Sequence, residues 1–200
     1  AAAPAAPLPP PASTPPAPAA PLLRPGERLL PLLARGEAVD ARALRAAMES
    51  AFGGSDAAGL WGWKDAYEAC EVAQLLFLRK FGPAMRARTA AAQLAMLAKG
   101  AALLPSQTRR SEESQTLQQF STPTALGFVA NIAAGITPDD LVLEPSAGTG
   151  LLAVLAELAG ASLILNELAE TRAGLLDRLF PDAPVTCHDA AHIHDLLDSE

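Results

Sequence analysis

Aromatic residues are scarce in this chain of 200 residues, at 4%, and cysteine occurs only twice. Cys70 and Cys187 lie far apart, which argues against a disulfide scaffold and suits a reducing compartment. No run of 18 or more apolar residues is free of proline and charge, so no membrane span is expected. The N-terminus lacks a basic region followed by an apolar core, which excludes a signal peptide and leaves the cytoplasm as the expectation. The absence of an initial Met reads as an incomplete N-terminus. Basic residues nearly vanish late in the chain. Residues 111–200 carry only Arg172 and Arg178 against 14 Asp/Glu, a net of −12, whereas residues 24–110 carry 13 Lys/Arg against 8 Asp/Glu, a net of +5. Any nucleic-acid contact is therefore expected from the earlier half, or from sequence outside this chain. Cys187, His188, His192 and His194 fit no common structural zinc spacing, so no metal site is assigned.

What is present begins with residues 1–22, an uncharged run of alanine and proline that reads as a disordered tail or tether. Residues 23–110 read as a helical subdomain. Helical patterns cover 27–34 and the stretch after Asp40, a suitable N-cap, up to the Gly53-Gly54-Ser55 stop. A further helix is expected over 63–81, with Gly82-Pro83 ending it, and another over 84–97. Trp61, Trp63 and Tyr67 cluster at the start of this stretch. They would either stack on bases or pin the helical subdomain onto an α/β core, and pinning is the preferred reading. Seven basic residues and no acidic one lie between Arg79 and Arg110. Arg79, Lys80, Arg86, Arg88, Arg109 and Arg110 are candidate nucleic-acid contacts; the alternative is a solvated helix face. The polar stretch 111–118 reads as a connector.

The rest is organised around Leu141-Val142-Leu143-Glu144-Pro145-Ser146-Ala147-Gly148-Thr149-Gly150. A buried strand breaks at Pro145 into a glycine turn, and helical periodicity follows over 151–159. Gly148 and Gly150 let the backbone pass close to a ligand and adopt positive φ without strain. A second strand, Ser162 to Asn166, ends in Glu167, 19 residues after Gly148, where a carboxylate would accept hydrogen bonds from a ribose diol. A helix over 168–180 and a third strand near Val185 to Cys187 follow. The run Gly148 to Ala153 also satisfies the loose G-x-G-x-x-G/A fingerprint. That spacing is shared by NAD-binding and S-adenosylmethionine-binding folds and leaves both open.

The flanks carry more. Glu144-Pro145-Ser146-Ala147-Gly148-Thr149-Gly150 resembles motif I of class I S-adenosylmethionine-dependent methyltransferases, in the form seen in DNA adenine-N6 enzymes. Gln119-Phe120-Ser121-Thr122-Pro123 resembles the motif X segment that precedes it, Glu167 matches motif II, and Asp189-Ala190 matches motif III. Residues 60–200 as a whole are similar to the methyltransferase-like region at the N-terminus of bacterial strawberry-notch-type helicase proteins. The resemblance implies a Rossmann-like α/β fold, with the first half of a doubly wound sheet in residues 111–200 behind a helical N-terminal region. It implies S-adenosyl-L-methionine as cofactor, held by Thr122, Pro123, Glu144, Pro145, Ala147, Gly148, Gly150, Glu167, Leu168, Asp189 and Ala190. Within that set Thr122 and Pro123 would help hold the methionine end, Glu144 would lie near its amino group, and Asp189 would contact the adenine.

The resemblance further implies methylation of adenine N6 in DNA, with nucleic acid and a downstream helicase region of a longer chain as partners. The family's [DNS]-P-P-[YFW] catalytic motif is not among these residues, since the Pro-Pro pairs lie in the 1–22 tail. No catalytic residue is assigned, and the sequence reads as an N-terminal fragment. Three alternatives stay open: a catalytically inactive cofactor-binding or interaction module attached to a helicase, an NAD-dependent oxidoreductase, and a methyltransferase of proteins or small molecules.

Overall fold

The computed structural model describes residues 21–107, 115 and 120–195. Residues 1–20 of the tail, nearly all of the 111–118 connector, Arg109, Arg110, Gln119 and residues 196–200 lie outside the described residues. The elements run α1 (Leu23–Ala34), α2 (Ala41–Phe52), a 3-10 turn (Asp56–Ala58), α3 (Trp63–Arg86), α4 (Ala90–Ala102), α5 (Thr124–Ala134), β1 (Leu141–Glu144), α6 (Ala153–Ala159), β2 (Ser162–Asn166), α7 (Glu170–Leu179), β3 (Val185–Thr186) and a final 3-10 turn (Ala190–Asp195). The fold is α/β, with helices first and a three-stranded parallel sheet, ordered β1-β2-β3, after them. Leu141 to Glu144 pair in register with Ser162 to Leu165, and Leu165 and Asn166 pair with Val185 and Thr186.

Local signals account for several boundaries. The Asp40 side chain accepts from Ala43 N–H at 2.7 Å and caps α2, and Gly53, Gly135 and Gly160 close their helices in the left-handed region. Other boundaries move. Helix α1 starts at Leu23 rather than 27, because Pro25 sits in its first turn, where a missing N–H costs nothing. Leu22, read as the end of the tail, caps this helix and is buried in the core. Helix α3 runs on to Arg86 instead of stopping at Gly82-Pro83. Pro83 lies inside the helix, three residues before its end, and Gly82 faces Leu158, whose Cδ1 would lie 2.6 Å from any added Cβ. The next helix accordingly starts at Ala90 rather than 84, capped by Thr89. Helix α6 begins at Ala153 and α7 at Glu170, both two residues later than the periodicity suggests.

Helix α3 is the spine. Residues 66–75 are buried without interruption. One side packs on α1, where Gly26 allows a close crossing: an added Cβ there would meet Val72 Cγ1 at 2.4 Å. Another side meets the sheet region. Arg79 forms a bidentate pair with Glu157 of α6, at 2.7 and 2.8 Å, and lies 4.5 Å from the centre of the Phe180 ring. Glu68 pairs with Arg172 of α7 at 2.6 Å and with Lys64 at 3.2 Å. Burial pushes the Glu68 carboxyl up, against the pull of Arg172 and Lys64.

Strand β1 departs from the expectation of a buried strand. Leu141 is 65% exposed and Leu143 37%. On the inner row Leu163 and Leu165 are buried and their β1 neighbours Val142 and Glu144 half-buried, while the row of Leu141, Leu143 and Ser162 faces outward. Among the described residues β1 has one strand neighbour, β2. Trp61 is buried, with its indole N–H donating to Gly54 O at 2.9 Å, and it meets Trp63 edge-on. Trp63 in turn lies against Tyr67 and under the Arg45 guanidinium. No described helix is long and apolar enough to cross a membrane.

Candidate functional site

The glycine turn after β1 is held from both sides. Ala147 N–H donates to Asn166 O at 2.8 Å, fastening the turn to the end of β2. The Glu167 carboxylate accepts from Gly148 N–H at 2.9 Å through Oε2 and from Ala169 N–H at 3.0 Å through Oε1. The glycine turn and the acidic residue that follows β2 are thus in direct contact. Each carboxylate oxygen keeps a further lone pair for another donor.

The two glycines divide the work. Both have positive φ, +59° at Gly148 and +90° at Gly150. A Cβ on Gly148 would meet nothing within 4 Å, so open space lies over it. A Cβ on Gly150 would lie 2.4 Å from Phe180 Cε2, so this glycine is required by packing on the far side of the turn. Of the two, only Gly148 has open space in its Cβ direction.

Asn166 is the hub behind the turn. Its Nδ2 donates to Pro145 O and His188 O, both at 2.9 Å, and its Oδ1 accepts from Thr186 Oγ1 at 2.8 Å and His188 N–H at 3.1 Å. The amide is fully buried and fully satisfied, and it sets the segment after β3 against the entry to the glycine turn. Asp189 follows directly; its carboxylate accepts from Ala191 N–H at 2.9 Å and caps the last 3-10 turn beside Ala190. Leu168 is exposed next to Glu167.

The second half of the site comes from α3. A cavity of about 250 Å³ is lined by Tyr67, Cys70, Glu71, Gln74, Leu104, Pro105, Gln107, Ser121, Thr122, Pro123 and Leu151. Thr122 and Pro123 are therefore brought together with the residue that follows the glycine turn. The Glu71 carboxylate accepts from Thr149 Oγ1 at 2.6 Å, from Gln107 Nε2 at 2.7 Å and from Ser121 Oγ in a very short contact. Gln74 Nε2 donates to Thr124 Oγ1 at 3.0 Å, anchoring the start of α5. Burial, with Glu71 nearby, pushes the Cys70 thiol up to about 12, so it stays protonated.

Glu71, Gln74 and Gln107 were not singled out by sequence reasoning. A signal exists: Glu68, Glu71 and Gln74 recur at three-residue steps on a helix otherwise rich in small apolar residues. The sequence marks Asn166 only as a strand end.

Other candidates stay apart from this cavity. Of the cofactor candidates only Thr122 and Pro123 are on its wall; Glu144, Pro145, Ala147, Gly148, Gly150, Glu167, Leu168, Asp189 and Ala190 are not. Burial raises the Glu144 carboxyl, opposed by Ser146 N–H at 3.3 Å. Of the basic residues, Arg79 is engaged by Glu157, Lys80 is exposed with its ammonium 5.4 Å from the Phe81 ring centre, and Arg88 is exposed. Arg86 lines a separate, larger cavity with Leu78, Met85, Leu97 and Phe128. No group of three or more potential metal-ligating side chains comes together among the described residues. Comparison with known protein families, curated proteins and solved structures finds no match for this chain.

Proposed function

We propose that this chain carries the cofactor-binding half of a class I S-adenosyl-L-methionine-dependent methyltransferase, of the type that modifies adenine N6 in DNA. The observation that supports it best is the link between the two strand ends: Glu167 at the end of β2 bonded to Gly148 N–H, with open space over that glycine. In a doubly wound sheet the crevice outside the carboxyl ends of the strands is where a nucleoside cofactor sits. Glu167 would accept the ribose hydroxyls, Gly148 would let the chain approach the cofactor, and Thr122 and Pro123 would border its amino-acid end. The cofactor supplies an electrophilic methyl group on a sulfonium. The residues of this chain bind and orient it.

Nucleic acid, a helicase region beyond these residues and a cytoplasmic setting belong to the same proposal. Lys80, Arg86 and Arg88 are exposed, as is Lys99 of the same stretch, and would offer cations to a phosphate backbone.

Isothermal titration with S-adenosylmethionine and with NAD tests the reading. Binding of the first and not the second is expected, and Glu167→Ala should weaken it by about 1–3 kcal/mol through loss of charged hydrogen bonds. Preference for NAD, or unchanged affinity in the variant, would overturn the assignment.

A further inference from the structure

We propose that the cavity between α3 and the glycine turn is a subsite for a cationic group, with the Glu71 carboxylate as its anion. Naming that group as the α-ammonium of S-adenosylmethionine rests on the function proposed above; the cation subsite itself rests on geometry.

Glu71 is 4% exposed and sits on the wall of the cavity. Its described partners, Thr149, Gln107 and Ser121, are neutral donors. A buried carboxylate is costly unless it is paired or well hydrogen-bonded, and its attraction for a cation rises where water is excluded. The neighbouring charges are accounted for. Glu68, one turn away, is matched by Arg172 and Lys64, and Cys70 carries no charge. The other polar side chains on the wall, Tyr67, Gln74, Gln107, Ser121 and Thr122, include no second carboxylate and no cation. The resemblance would give the amino group to Glu144, yet Glu144 lies off this wall and turns back to Ser146 N–H. An ammonium entering the cavity would gain a charge-assisted bond to Glu71. Thr149, held by the same carboxylate, lies between Gly148 and Gly150, so occupancy would be felt directly by the glycine turn.

The test is a ligand–variant cycle on the full chain by isothermal titration. The ligands are S-adenosylhomocysteine, its deaminated analogue lacking only the ammonium, and 5′-methylthioadenosine. The wild type should bind S-adenosylhomocysteine about tenfold more tightly than the deaminated analogue, and Glu71→Gln should abolish that difference while leaving methylthioadenosine within about twofold. Equal weakening of all three ligands by Glu71→Gln would overturn the proposal and leave Glu71 as an organiser of the turn. Should the variant fail to fold, the wild-type preference for the ammonium decides: its absence overturns the subsite.

Failure of the wild type to bind any adenosyl compound would instead defeat the proposed function. The subsite is then read by NMR with millimolar L-methionine amide. A shift of the Thr149 amide in wild type but not in Glu71→Gln supports it, and no shift in the wild type overturns it.

Discussion

Helix α3 and strand β1 stand at opposite ends of the range of burial in this molecule. Helix α3 is enclosed over ten consecutive residues, by α1 on one side and by the sheet region on another. Strand β1 has no buried residue and turns Leu141 and Leu143 outward. The difference is instructive because parallel sheets are usually covered on both faces. Here the rigid part of the site is a helix from the N-terminal region, while the strand that leads into the glycine turn is the less supported partner. The turn is held by what reaches across to it: Glu71 from α3, Asn166 at the end of β2 and Glu167 just after it.

That contrast predicts a ranking of effects. Arg172→Ala should cost the most, about 3–5 kcal/mol in denaturant unfolding, since it leaves the buried Glu68 carboxylate with Lys64 as its one cation partner among the described residues and cuts a tie between α3 and α7. Leu75→Ala, in the enclosed stretch of α3, should cost about 3 kcal/mol, whereas Leu141→Ala should stay within about 0.5 kcal/mol. Equal losses at both positions would mean that β1 is covered in solution.

Gly150→Ala should cost about 2–3 kcal/mol from its φ and the collision with Phe180, against about 1 kcal/mol for Gly148→Ala, where only φ is at issue. Ligand affinity should rank the other way, with Gly148→Ala the more damaging, because its methyl enters the open space.

The smallest effect concerns pH. The Glu144 carboxyl is raised above its ordinary value of 4.5 in the folded chain, first by burial. Its contribution is therefore fully present below that value and is lost as pH rises through the folded pKa. Stability of the wild type should fall relative to Glu144→Gln as pH climbs above 4.5 in parallel unfolding series. A flat difference between the two proteins would show that β1 leaves this side chain in water.

Much of the α/β portion was legible. The apolar runs at Leu141 and Ser162, the glycines at 148, 150 and 160, and the cap at Asp40 act through neighbours a few residues away, so their pattern suffices. The misplaced boundaries have a common cause. Gly82 and Pro83 look like a stop, but Gly82 is needed for contact with Leu158 and the helix continues past Pro83 to Arg86. That Gly150 also makes room for Phe180 is not in the sequence, since only packing supplies that neighbour. The exposure of β1 was equally invisible, because an apolar run carries no record of how many strands will flank it.

The sequence by itself determined the order of strand, glycine turn, helix, second strand and acidic residue, since each rests on local periodicity and on backbone conformations open to glycine and proline. Only the tertiary structure decided that Glu71 meets Thr149, 78 residues away, and that Glu68 meets Arg172, 104 residues away. Those meetings follow from how one face of α3 lies against the turn and α7, and a side chain's charge and spacing along its own helix say nothing about which distant donor it will face.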